Sequence, residues 1–92
     1  MYLIIDGTLI HDREELHDLL SRELRLPEWY GRNLDALHDC LTDRRQPVDI
    51  ILLHEETLME NLGMYGAMFR KVLLDSAREN PVIGVFAAAA LI

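Results

Sequence analysis

Ninety-two residues are enough for one domain, expected to bury roughly 60 to 65% of the surface its unfolded chain exposes. Half of the residues are apolar, which excludes a disordered chain, and the single cysteine, Cys40, excludes an internal disulfide. Sixteen Asp and Glu against nine Lys and Arg leave a net charge of −7. That balance argues against nucleic acid as a direct ligand, because phosphate binding calls for a basic surface. It suits either solubility alone or a basic protein partner, and charge by itself does not choose between them.

In chain order, "YLII" at residues 2 to 5 reads as a short strand ended by Asp6-Gly7. The start has no basic region or small-residue cleavage site, so no signal peptide is expected. Asp12 followed by Glu15 resembles a capping box, and Leu16, Leu19, Leu20 and Leu24 repeat at helical spacing. A first helix is therefore predicted over 13–24, stopped by Pro27. Asn33 is a good N-cap for a second helix with Leu34, Leu37 and Leu41 inward. Pro47 opens the strand "VDIILL". A short helix is predicted over 55–62, capped at Thr57 with Glu60, and a longer one over 66–79 carrying Phe69, Val72, Leu73 and Ala77. A third strand follows over 82–88. The apolar tail from Pro81 is shorter than the roughly 20 residues a membrane span needs, so a cytoplasmic protein without a membrane partner is expected.

Strands separated by helices pair in parallel, which predicts an α/β fold: a small three-stranded parallel sheet with helices packed on it, as a single domain over 1–92. The apolar strands read as buried on both faces.

The segment "LPEWYGRNLDALHDCLTD", residues 26 to 43, concentrates the chemistry. On a helical wheel Leu34, Leu37 and Leu41 share one face; Asp35, Asp39 and Thr42 form an outer stripe, with His38 between the two. Like charges four residues apart cost a few tenths of a kcal/mol, so the stripe opposes the helix that carries it. Trp29, Tyr30 and Gly31 lie on the approach, Gly31 giving a flexible turn. Three readings compete: a solvated acidic face, a catalytic or metal site built on Asp35, His38 and Asp39, and an acidic plug for a basic cleft. The second finds no matching ligands, phosphate loop or nucleophile motif elsewhere in the chain, so no cofactor, metal or catalytic residue is expected.

The string Leu-Pro-Glu, Tyr-Gly, Asn-Leu-Asp-Ala-Leu and Asp-Cys-Leu closely resembles the hallmark segment of the barstar family. "IDGTLI", "ELHDLLSREL" and Gly66-Ala67 extend the resemblance over nearly the whole chain. It implies an intracellular inhibitor of a basic, barnase-like secreted ribonuclease, protecting the cell that makes the toxin. The alternative is an interaction or immunity module for a different basic toxin or protein. By the same resemblance Asp39 is the chief anchor, in the place of a substrate phosphate, and Asp35 a second acidic contact. Trp29 stands where the family has a stacking tyrosine, beside Tyr30; Gly31 and Asn33 match the neck of the binding loop, and Thr42 a rim position. His38 replaces a tryptophan of the best-known member. The family's further acidic contact falls at Ser76, with Glu79 one turn on as the candidate to replace it. Arg44 and Arg45 are expected to repel part of a basic cleft.

Overall fold

In a computed structural model, which describes residues 1–88, the strands are β1 (Tyr2–Asp6), β2 (Val48–Leu53) and β3 (Ile83–Ala88). The helices are α1 (Arg13–Glu23), α2 (Leu34–Thr42), α3 (Glu55–Leu62) and α4 (Met64–Glu79). The strands form one parallel sheet in the order β1-β2-β3, with Leu3 level with Ile50 and Ile50 level with Val85. This is the α/β architecture the sequence predicts.

The sheet is buried on one face, not on two. Leu3, Ile5, Val48, Ile50, Leu52 and Ile83 point into the core. The alternate residues Tyr2, Ile4 and Phe86 are exposed, at 74%, 55% and 54%. Ile4, Ile51 and Phe86 stand side by side on that open face. Apolar side chains on both faces of a strand do not by themselves report how many layers cover it.

The helices pack their apolar stripes on the covered face: Leu16 and Leu20 of α1, Leu34, Leu37 and Leu41 of α2, Leu58 of α3, Phe69 and Leu73 of α4. Truncating one of these fully buried leucines to alanine costs about 2–5 kcal/mol in such cores. Asp12 caps α1 by accepting from the Glu15 amide at 2.8 Å, while the Glu15 carboxylate reaches past it to the His11 amide at 3.0 Å. The capping box is thus offset by one residue on its return side.

One helix cap and one helix start differ from expectation, while α3 keeps its predicted bounds. α3 begins at Glu55 behind His54, whose φ is 53° and whose side chain makes no capping bond; Thr57 lies inside the helix and caps nothing. α4 begins at Met64, two residues before the predicted start, directly after Gly63 at φ 59°. Gly7, just past β1, meets the backbone of α3 so closely that a Cβ there would collide with the His54 carbonyl oxygen. That contact ties the end of β1 to the start of α3.

Asn80 joins the two helices that flank the candidate site. Its buried amide donates to the carbonyls of Leu41 (2.9 Å), Thr42 (3.3 Å) and Arg44 (2.8 Å), satisfying the C-terminus of α2 from the end of α4.

Candidate functional site

α2 is built to stand still. Asn33 accepts from the Ala36 amide at 2.8 Å, an N-cap worth about 1 kcal/mol, and Asn80 closes the other end. Its leucines anchor the inner face, so Asp35 and Asp39 are carried outward on a fixed backbone. Asp35 is exposed in the first turn, where the helix dipole favours a carboxylate. Asp39 is 81% exposed and, among the described residues, its carboxylate pairs only with the His38 ring, at 3.9 Å. Thr42 is half-buried, its hydroxyl donating back to the His38 carbonyl at 2.9 Å.

The loop from Arg25 to Asn33 has no regular structure of its own and is held by its neighbours. Tyr30 donates its amide to the Pro27 carbonyl at 2.9 Å, and its ring is buried. The Tyr30 hydroxyl sits 2.7 Å from His17 Nδ1, and the other ring nitrogen of His17 sits 2.7 Å from the Tyr65 hydroxyl of α4. A neutral imidazole donates through one nitrogen and accepts through the other, so one histidine satisfies both phenols. Burial, then the Arg32 and Arg13 guanidiniums, hold the His17 pKa below its ordinary value. Burial pushes the Tyr30 phenol upward.

The flexible turn expected at Gly31 lies one residue later. Arg32, at φ 53°, adopts the left-handed conformation; what Gly31 supplies is room, since a Cβ there would stand 3.3 Å from both the Ala36 methyl and the Asn33 amide. Arg32 is fixed by a 2.6 Å ion pair with Asp18 and a 3.2 Å bond to the Glu14 carbonyl, both on α1.

Between loop and helix lies a cleft of about 400 Å³ lined by Trp29, Tyr30, Gly31, Asp39, Cys40 and Thr42, among others. Trp29 is 82% exposed at its edge. Cys40 is half-buried, and burial followed by the Asp39 and Asp43 charges pushes its thiol pKa up, which disfavours the reactive thiolate.

The site residues predicted from sequence therefore divide. Trp29, Gly31, Asp39 and Thr42 meet at the cleft, with Asn33, Asp35 and His38 on the same helix or its cap. Tyr30 also lines the cleft but is a core residue by burial. Ser76 is elsewhere: it is fully buried on the inner face of α4, and its hydroxyl has no hydrogen-bond partner among the described residues. It presents nothing to a partner in this conformation. Glu79, one turn on, is exposed and pairs with His38 Nε2, which adds a carboxylate from α4 to the stripe. Arg44 does not face the cleft. Its guanidinium bonds the carbonyls of Gln46 and Leu24 in a separate depression beside the end of α1.

Sequence reasoning missed Asp18, Tyr65 and Asn80, which hold the site without belonging to it. The buried position of Ser76 was available from spacing, since it lies seven residues after Phe69 and three after Leu73.

Among the described residues no group of three or more His, Cys, Asp or Glu could hold a metal ion, and no helix is long and apolar enough to cross a membrane. Fold and site together define a small two-layer α/β protein with an acidic, aromatic-edged surface cleft. The family described as Barstar (barnase inhibitor) matches residues 1–87, and this chain belongs to it. A relative from Bacillus subtilis (strain 168), named "Putative ribonuclease inhibitor YrdF", is 40% identical over 78 residues, covering 84% of this chain and 86% of the relative.

Proposed function

We propose that this chain inhibits a basic, barnase-like ribonuclease by filling its active-site cleft, and that it performs no turnover of its own. The observation that carries this reading is Asp39: a largely exposed carboxylate on a helix capped at both ends, sharing one cleft with the exposed ring of Trp29. Cations that hold a substrate phosphate can hold this carboxylate in its place, most strongly through bidentate arginine bonds. Trp29 offers its face to a planar cation or ring of the partner. Asp35 and Glu79, both exposed, add to the negative field around α2 and speed encounter with a positive cleft. Family membership and the name of the Bacillus relative support the same reading. The single domain of 1–92 then acts in the cytoplasm as immunity against the toxin its own cell produces.

The test is a titration of barnase with the purified chain, following cleavage of an RNA substrate. Loss of activity at one-to-one stoichiometry, weakening as salt rises, is the expected result. Full activity at a large excess of the chain, against barnase and against a panel of other secreted basic ribonucleases, overturns the reading.

A further inference from the structure

The left-handed backbone at Arg32 is unfavourable for a side-chain-bearing residue, and at Arg32 a side-chain contact offsets part of that cost. It lies at the point where the loop carrying Trp29 and Gly31 turns into α2. The contact comes from α1: Asp18 takes the guanidinium at 2.6 Å and the Glu14 carbonyl takes a second bond at 3.2 Å. Asp18 itself does not line the cleft.

We infer that Asp18 is a positioning residue for the binding loop, fixing Arg32 in its left-handed conformation and turning its charge away from the acidic cleft. The second effect matters as much as the first. Arg32 lies three residues from Asp35 in sequence, and a free guanidinium there would oppose the cations that the acidic stripe attracts. Asp18 thus converts a cation on an acidic face into a structural strut. The consequence for binding rests on the inhibitor reading; the consequence for the loop does not.

The pair is solvent-exposed, 44% at Arg32 and 64% at Asp18, so its effect is modest. The Tyr30 amide, bonded to Pro27, reports loop opening by hydrogen exchange in the free protein. Asp18→Asn should raise its exchange rate by about two- to fivefold, with β2 amides unchanged. The charge-swapped pair Asp18→Arg with Arg32→Asp should restore it. An unchanged Tyr30 rate in Asp18→Asn, an equal rise in β2, or no recovery in the swap overturns the inference. Inhibition of barnase provides the second arm: Asp18→Asn, which frees a cation, should weaken it more than Arg32→Gln, which removes one. Equal loss in the two removes the charge-hiding role. If the wild-type chain fails to inhibit at all, the proposed function falls while the exchange result still decides the loop.

Discussion

The two halves of the candidate binding face are made rigid in different ways. α2 holds its first turn with its own asparagine cap and its inner face with three leucines, takes only its last carbonyls' partner, Asn80, from the end of α4, and turns Asp35 and Asp39 to solvent. The loop ahead of it borrows order from residues far away in sequence, through His17–Tyr30, Tyr65 and Asp18–Arg32. On the helix, the groups that hold the structure and the groups that face outward are separate side chains. On the loop they are neighbours, since Tyr30 is buried and Trp29 beside it is exposed. A change on the helix face can therefore alter binding alone, whereas a change in the loop acts on shape and binding together.

The largest expected effect sharpens that contrast. Asp39→Ala should weaken inhibition by about 3–5 kcal/mol, roughly 100- to 4,000-fold, by leaving the partner's cations buried and unpaired. Its thermal midpoint should not fall, and should rise slightly, because Asp39 makes only a long contact with His38 and its repulsion with Asp35 is relieved. A paired measurement of inhibition constant and melting temperature checks both halves, and a large drop in melting temperature would break the separation.

Tyr30→Phe is the corresponding test of the loop. It removes one hydroxyl and strands His17 Nδ1 in the interior, a loss of about 1–3 kcal/mol. Exchange of loop amides should rise before that of α2, and inhibition should fall in the same variant. Loss of stability without loss of inhibition would show the loop to be independent of its anchor.

The smallest effect is a change of slope with pH. The folded pKa of His17 lies below its unfolded value near 6.5, so below that pH the unfolded chain binds the proton more readily. Stability should be complete above about pH 6.5 and fall as the medium is acidified toward the folded pKa. When His17 does take the proton, both ring nitrogens become donors and a charge is buried beside Arg13 and Arg32. Urea denaturation of wild type and His17→Gln at pH 7.5 and pH 5.5 checks this. The variant should lose less stability than the wild type across that interval, and equal losses would assign the dependence to the carboxylates.

The order of elements was legible in the sequence because strand, cap and helical-spacing signals are local. Asn33, Pro27 and the α2 leucines act within a few residues of one another. What was not legible depends on distant pairs or on layer count. Arg32 looks like a surface cation until Asp18 is beside it. Asn80 looks like a helix stop until the α2 carbonyls arrive. Ser76 came from the family resemblance alone, whereas the helical phase set by Phe69 and Leu73 turns Ser76 inward and leaves Glu79 exposed. The open sheet face escaped notice because exposed apolar residues alternate with buried ones along the same strands.

That open face also bears on how the chain comes apart. Tyr2, Ile4 and Phe86 already meet solvent before unfolding begins, so denaturation uncovers less new apolar surface than it would in a sheet covered on both sides. Heat-capacity change and denaturant sensitivity both scale with the area newly hydrated. A chain built this way unfolds over a broader span of urea, and its stability varies more gently with temperature, than a three-layer chain of equal length.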